Sequence, residues 1–163
     1  MKFSRNDAFD CLVALDVATV FLDSYRGKKL PENLDSYFGP PEEFFVAADT
    51  QEPYTDGELI PILDDGNFSV VTFCDPLQQH FVQYFVESPK SPINKFLSWQ
   101  QYLADLLIHV GESMEDDERV RRVASIVGFQ NSDLLFKFFA AAEDGSYDEY
   151  MRLRDEFVHG IHS

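Results

Sequence analysis

Basic residues are scarce in this sequence, and they are missing from its middle. The 163 residues include 13 Lys and Arg against 29 Asp and Glu, which gives a net charge of −16. No Lys or Arg occurs from Leu30 through Pro89, where 12 acidic residues lie. Nucleic acids and anionic lipid surfaces are bound largely through the attraction of phosphate to Lys and Arg. We therefore expect no nucleic acid and no membrane as partner, and we expect a basic protein instead.

Cysteine and long apolar runs are also scarce. Cys11 and Cys74 are the only cysteines, and both lie in patterns typical of buried free thiols rather than of a disulfide framework. The apolar runs are much shorter than the roughly 20 residues that cross a bilayer. The segment from Met1 to Asp7 is polar and charged, unlike a secretory signal. These features predict a cytoplasmic protein.

Motifs for nucleotide, metal and covalent chemistry are missing as well. The glycines are isolated and form no phosphate-binding loop. The four histidines form neither a helical His pair nor a zinc spacing with the cysteines. Cys74 and His80 are the only nucleophile and base that can be paired, and both lie in strand patterns, where a buried thiol is commoner. We predict no catalytic residue, no metal site and no cofactor, so the protein is not expected to be an enzyme.

The sequence does contain a large apolar fraction. Hydrophobic residues make up 45% of the chain and include 16 Phe and 7 Tyr, a composition far from that of disordered chains. A chain of this length typically forms one domain and buries roughly 70% of its unfolded surface. We expect one folded domain over residues 1–163, with a core at about 5–111 and a helical C-terminal extension at 112–163.

The first third of the chain has helical periodicity. Apolar residues recur at helical spacing from Phe9 to Phe21, with Ser4 in a position to cap a helix and Gly27 in a position to end it. The pattern predicts an amphipathic helix over residues 5–25. Pro31 and the Pro40-Pro41 pair each precede a short segment that is expected to form a single helical turn.

The middle of the chain has β periodicity instead. Residues 59–63, 68–73 and 80–86 are β-rich apolar runs, and the first two are joined by a turn-forming sequence at residues 64–67. They predict an antiparallel meander. Pro61 cannot donate a hydrogen bond to a neighbouring strand, so the first run is expected to be an edge strand or to contain a bulge.

The last third is helical again. Ser98 and Gln101 predict a capped helix that continues to Gly111. Three further helices are predicted over residues 116–127, 132–142 and 146–158, each followed by a glycine within three residues. Strands grouped in the middle of the chain with helices on both sides indicate an α+β fold. The expected architecture is a central antiparallel β-meander flanked by an N-terminal helix and a C-terminal group of helices.

One stretch resembles a known family. The run Leu59-Ile60-Pro61, the turn Asp64-Asp65-Gly66 and the strand that follows resemble the signature of the SUKH superfamily (Smi/Knr-like domains). Leu30-Pro31 followed by Tyr37-Phe38, and the serine-capped helix that begins near Phe96, are similar to two further elements of that family. The resemblance spans about residues 30–110. The family's asparagine-glycine-glycine element is absent, and residues 49–52 stand in its place.

The resemblance implies an α+β domain without catalytic apparatus. Its bacterial members are used mostly as immunity proteins that bind and neutralise a toxin, and fungal relatives regulate cell-wall synthesis through protein contacts. On this basis we expect a toxin-immunity function, with the cation-free stretch as the docking surface for a basic toxin. Carboxylates would bind Arg and Lys of the partner, and Tyr54 would be an aromatic anchor. The expected partner-binding residues are Glu42, Glu43, Asp49, Glu52, Tyr54, Asp56, Glu58, Asp64 and Asp65.

Other interpretations of the same residues stay open. An acidic surface can also serve solubility alone. The helical tail beyond Gly111 can be the contact region of a scaffold or regulatory module. A hydrolase that uses a pair of carboxylates is the third alternative, although no pair is marked out by its surroundings. A monomer or a weak homodimer is expected.

Overall fold

The computed structural model describes residues 2–55 and 58–162. Contact density divides the chain into two compact units, Met1–Lys95 and Phe96–Ser163. The first contains short helices and nearly all of a small sheet, and the second is helical. The predicted α+β class is therefore confirmed. The expected extension boundary at Gly111 lies inside a helix, and the grouping of both units into one domain stays a prediction.

The predicted helix over residues 5–25 is interrupted. Two helices, α1 (Arg5–Ala14) and α2 (Thr19–Tyr25), occupy this region. Ser4 caps α1 as predicted, because its side chain accepts a hydrogen bond from Asp7 N while the Asp7 side chain accepts one from Ser4 N. The single-helix prediction was wrong because Asp16 has φ 56°, a left-handed conformation that ends the helical path. Asp adopts this conformation more readily than most residues, and apolar spacing does not reveal it.

Four short helical segments connect α2 to the sheet. Pro31–Ser36 and Ala48–Gln51 are 3-10 helices, whereas α3 (Glu42–Val46) and α4 (Glu52–Thr55) are short α-helices. Pro41 directly precedes α3, where its fixed φ favours helix initiation. The segment after Pro31 is irregular, because Glu32 and Asn33 have φ of 55° and 60°. The two short segments predicted after Pro31 and after Pro40-Pro41 are present, whereas Ala48–Gln51 and α4 were not predicted.

The sheet has four strands in the order β1-β2-β3-β4. The strands are β1 (Ile60–Asp64), β2 (Val70–Asp75), β3 (His80–Phe85) and β4 (Asn94–Phe96). Antiparallel pairing of β1 with β2 and of β2 with β3 confirms the meander. Pro61 lies in the edge strand β1 at a register shift between Pro61 and Leu63, as its missing N–H predicted. The strand β4 was not predicted.

The second unit contains α5 (Trp99–Met114), α6 (Asp117–Val127), α7 (Ser132–Ala142) and α8 (Tyr147–His159). Ser98 and Ser146 cap α5 and α8, since each side chain accepts a hydrogen bond from the amide three residues later. Gly128 has φ 82° and ends α6. These boundaries confirm the four predicted helices to within a few residues.

The predicted end of α5 at Gly111 was wrong. The helix continues through Gly111 to Met114, and the glycine makes room for an aromatic ring of α7. A Cβ atom at position 111 would lie 2.3 Å from Cζ of Phe139. Gly111 is therefore a packing residue rather than a helix terminator, two roles that look alike in a sequence.

No helix among the residues that the structure describes is both long enough and apolar enough to cross a bilayer.

Candidate functional site

A surface cavity of about 530 Å³ opens in the first unit. Its floor and walls are largely hydrocarbon and ring surface, contributed by Phe44, Val46, Phe68 and Val86 among others. Cavities of this size and composition are typical of sites that accept a ligand or an inserted side chain. The same cavity brings together three of the predicted partner-binding residues, which are Glu42, Glu43 and Tyr54.

Helix α3 sets the rim of this cavity. It spans only five residues, so its first turn holds Glu42 and Glu43, whose carboxylates stabilise the positive N-terminal end of the helix. Phe44 points inward and is 1% exposed. Val46 points outward and is 87% exposed, although it lines the cavity. One short helix thus supplies a buried aromatic floor, an exposed apolar lip and two exposed carboxylates.

An aromatic cluster forms the floor. The ring of Phe44 lies 5.2 Å from Tyr54 and 5.0 Å from Phe68, both edge to face. Phe68 has φ 55°, a left-handed conformation that costs a bulky residue on the order of 1–3 kcal/mol. Packing of its ring against Phe44 offsets that cost. The strained backbone directs an aromatic side chain into the cavity wall.

Tyr54 is part of the cavity wall. Its hydroxyl donates a hydrogen bond to the carbonyl of Val86, and its ring stacks at 5.8 Å on Phe73 and meets Tyr84 edge to face. Partial burial raises the pKa of the Tyr54 hydroxyl. Tyr54 was predicted to be an aromatic anchor for a partner, and that role stays a prediction. In the structure its ring lines the cavity and its hydroxyl is already bonded.

The hairpin between β1 and β2 brings two more predicted residues close to α3. Asp64 N donates to Gly39 O at 2.8 Å, which holds the end of β1 beside the segment that leads into α3. Asp64 accepts from Gly66 N at 2.9 Å, and Asp65 accepts from Ser69 N at 3.0 Å. Both carboxylates therefore stabilise the turn, as the sequence predicted for this hairpin.

Four of these carboxylates share one electrostatic environment. Burial, together with the negative charges of Asp65, Glu43 and Glu42, raises the pKa of Asp64 to about 6, against the lowering effect of the hydrogen bond from Gly66 N. We call Glu42, Glu43, Asp64 and Asp65 the acidic cluster. Its members come from two places in the sequence that only the fold brings together.

Cations from the N-terminus reach part of the acidic stretch. Arg5 Nε lies 2.9 Å from Oε1 of Glu42, and both side chains are well exposed. In contrast, Glu43, Asp64 and Asp65 have no ion pair within residues 2–55 and 58–162. The acidic cluster is therefore only partly neutralised.

The predicted residues Asp49 and Glu52 are paired with Lys2. Lys2 bonds to the Asp49 carboxylate and lies 3.4 Å from Oε1 of Glu52. The hydrogen bond to Asp49 raises the pKa of Lys2. Glu58 is exposed and does not line the cavity. Asp56 lies outside the described residues. The structure thus brings together Glu42, Glu43, Tyr54, Asp64 and Asp65, whereas Asp49 and Glu52 do not line the cavity and are paired with Lys2.

The apolar part of the cavity was missed by sequence reasoning. Val46 and Phe68 were counted only as members of a helix and of a strand run. The available signal was the position of Val46 after the consecutive pair Phe44-Phe45, since a short helix cannot bury three successive apolar side chains on one face.

Neither a metal site nor a match to known proteins helps to assign a function to this cavity. Among the residues that the structure describes, no three His, Cys, Asp or Glu side chains come together as a metal site requires. A scan against models of protein families, a search of curated proteins and a search of solved structures each found no match.

Proposed function

We propose that this chain is a non-catalytic binding domain that takes a basic protein at the acidic cluster and the adjoining cavity. The observation that supports the proposal most directly is that the acidic cluster, in which only Glu42 has an ion pair among the described residues, adjoins an exposed apolar cavity. Charges at the rim speed the encounter with an oppositely charged partner, and an apolar or aromatic side chain buried in a pocket supplies affinity. The two features together suit an Arg-rich or Lys-rich surface with one protruding apolar residue.

Toxin neutralisation is the role we assign to this binding. The resemblance to the SUKH superfamily favours it, and so does the charge of the chain. A toxin that acts on nucleic acid needs a basic face to hold phosphate. A carboxylate-rich protein that covers such a face blocks the substrate by competition. In this proposal the protein is a cytoplasmic immunity protein that acts as a monomer and needs no cofactor.

The proposal gives Asp64 no catalytic role, although its raised pKa of about 6 is the kind of value that general acids have. Asp64 Oδ1 accepts a hydrogen bond from Gly66 N, as turn residues do. Its partial burial at the end of β1 explains the shift without reference to a substrate.

The decisive experiment is a charge reversal with a matched control. The proposal predicts that a basic toxin domain is encoded beside this chain's gene, and that domain is the partner to test. Stopped-flow mixing at low salt measures the association rate constant. The double variant Glu42→Lys/Glu43→Lys is expected to associate at least about tenfold more slowly, because it inverts the rim. The effect should shrink as salt screens the charges.

The control is Asp148→Lys/Glu149→Lys in α8. These residues are also an acidic pair in the first turn of a helix, so the control matches the net charge change and the loss of favourable charge at a helix N-terminus. We expect it to lower the rate constant less than about twofold. Equal slowing by the two double variants would show that only net charge matters and would refute the acidic cluster as the docking surface.

A second candidate function rests on an apolar surface in the second unit. Tyr147 is 74% exposed and Met151 is 40% exposed, and their spacing of four residues places them on one face of α8. Exposed apolar residues on one helix face are typical of a protein contact. A scaffold or regulatory module would lose its partner in the variant Tyr147→Glu/Met151→Glu and keep it in Glu42→Lys/Glu43→Lys, which is the reverse of the pattern expected for the immunity protein.

A further inference from the structure

A second cavity in the first unit contains both cysteines of the chain. It has a volume of about 250 Å³, and Cys11 of α1 and Cys74 of β2 both line it. Both thiols are free, and they lie within hydrogen-bonding reach of each other, close enough to shift the pKa of both. Two thiols far apart in the sequence are therefore in contact at the wall of a surface cavity. This pair does not touch the acidic cluster, and the inference drawn from it does not rest on the proposed function.

The two thiols differ in exposure and in charge preference. Cys11 is half-buried, whereas Cys74 is fully buried. The hydrogen bond from Cys74 stabilises a thiolate at Cys11 and lowers its pKa, and burial opposes this effect. The same hydrogen bond, with burial, raises the pKa of Cys74. Cys11 is therefore the thiol that solvent can reach and that ionises more readily, which are the two properties of a reactive cysteine.

We propose that Cys11 and Cys74 form a redox-active dithiol, in which a peroxide oxidises Cys11 and Cys74 then closes a disulfide between α1 and β2. An accessible cysteine with a second thiol in contact is the arrangement used by thiol redox sensors. The geometry assigns the attacking role to Cys11 because only its sulfur combines access from the cavity with a hydrogen-bond donor.

The chemistry balances in two steps. The Cys11 thiolate attacks one oxygen of hydrogen peroxide, the O–O bond breaks, and hydroxide leaves while Cys11 becomes a sulfenic acid. Cys74 then gives up its proton, its sulfur attacks the Cys11 sulfur, and the sulfenic oxygen leaves as water. Overall two thiols lose two electrons and two protons, and one peroxide is reduced to two water molecules.

The cavity also indicates the class of oxidant. Asp7 and Asp10 line it beside Cys11, and both residues are exposed. Their carboxylates repel anionic reagents such as glutathione disulfide, whereas neutral hydrogen peroxide meets no such barrier. The site therefore favours a small neutral oxidant.

The test uses the full chain, in which Cys11 and Cys74 are the only thiols. Reduced protein is treated with hydrogen peroxide at neutral pH, and its intact mass and disulfide peptides are recorded. We expect the loss of two hydrogen atoms per chain, a peptide linked through Cys11 and Cys74, and full reversal by dithiothreitol. Over-oxidation to sulfinic acid, or disulfide-linked dimers in place of the internal bond, would overturn the proposal.

Single variants separate the roles of the two sulfurs. Cys74→Ser keeps a hydrogen-bond donor beside Cys11 but removes the resolving sulfur, so labelling by dimedone, which traps sulfenic acid, should exceed that of the wild type by at least about tenfold. Cys11→Ser leaves only the buried thiol and should remain unlabelled. Equal dimedone labelling of Cys74→Ser and wild type would refute the resolving role of Cys74.

Two disulfide reagents test the oxidant class. Reduced protein is mixed with anionic glutathione disulfide or with neutral hydroxyethyl disulfide, and the loss of free thiol is followed. We expect the neutral reagent to react several-fold faster, and we expect Asp10→Asn to reduce the difference. If the two reagents react equally fast with the wild type, the assignment of a small neutral oxidant fails.

Discussion

The two compact units use their carboxylates in different ways. In the first, the acidic cluster lies at the surface beside a cavity, and the only ion pair to one of its members within the described residues is that of Arg5 with Glu42. In the second, Asp105 of α5 is 6% exposed in its side chain and is bonded to Arg154 of α8, with His109 Nε2 3.6 Å away. The first arrangement leaves charge available to a partner, and the second uses charge to hold two helices together.

The presence of a cation partner decides which of these uses a buried or half-buried carboxylate has. Burial raises the pKa of Asp105, but hydrogen bonds and positive charge from His109 and Arg154 outweigh it, so that the pKa is lowered overall. Asp64 in the first unit has no cation partner among the described residues, and its pKa is raised to about 6. A compensated carboxylate stabilises the fold when ionised, and an uncompensated one destabilises it.

The largest effect is expected from removing the cation of the second unit. Arg154→Ala leaves Asp105 buried with only the His109 ring beside it, and we expect a loss of about 3 kcal/mol in the free energy of unfolding. Urea denaturation at neutral pH measures it. The control is Arg152→Ala, which removes exposed ion pairs of α8 with Glu149 and Glu156 and should cost less than about 1 kcal/mol. An equal loss in the free energy of unfolding in both variants would contradict the view that the buried ion pair of Arg154 stabilises the fold more than the exposed ion pairs of Arg152 do.

A smaller effect is expected from the wall of the cavity. Tyr54→Phe deletes the hydroxyl that is bonded to Val86 and keeps the ring, so stability should fall by about 1 kcal/mol. The rate of partner association should not change, because the ring face remains. The same stopped-flow assay measures that rate. A slower association in Tyr54→Phe would show that the hydroxyl contacts the partner.

The smallest effect is expected from pH. The pKa of Asp64 in the folded protein is raised to about 6. The folded state therefore keeps a proton that the unfolded state loses. As a result, the stability contributed by this residue falls as the pH rises from the ordinary pKa of an Asp side chain toward 6. Asp64→Asn removes the charge and keeps an acceptor for Gly66 N. We expect it to be more stable than the wild type at neutral pH by up to about 1 kcal/mol, an amount reduced by partial exposure.

The matching variant in the second unit is Asp105→Asn. Asp105 has a lowered pKa, so its contribution is present above its ordinary pKa and is lost as the solution becomes more acidic. This variant should be less stable than the wild type at neutral pH, and the difference should shrink in acid. Stability measured by urea denaturation across pH separates the two variants, and shifts of the same sign at neutral pH would contradict the comparison.

Local chemistry was predictable from the sequence. Pro61 lacks an N–H, so its place in an edge strand with a register shift follows from one residue. Ser4 and Ser98 mark helix starts because their hydroxyls bond within one turn of the chain. The prediction succeeded where a single side chain decides the local structure.

The predictions failed where distant residues decide the structure. The left-handed Asp16 divides a periodic pattern that continues through it, and Gly111 was misassigned because Phe139, which needs the space, is 28 positions away. The strand β4 has three residues, two of them polar, and is too short to show the alternation of polar and apolar residues that predicts a strand.

The candidate site was also predictable only in part from the sequence. Glu42, Glu43, Asp64 and Asp65 were predicted as partner contacts because the stretch lacks cations, and that role stays a prediction. The pairing of Asp49 and Glu52 with Lys2 depends on a residue that is 47 positions from Asp49. The apolar cavity depends on the left-handed conformation of Phe68. Neither can be derived from the pattern of the sequence.

The edge strand β1 limits how this molecule can associate. Pro61 supplies no N–H there, the register is irregular, and Gly39 already occupies the bonding position of Asp64. A foreign peptide that tried to extend the sheet on this side would find an interrupted ladder. Recognition next to this edge must therefore depend on side chains, and stacking of neighbouring molecules into fibrils through β1 is blocked.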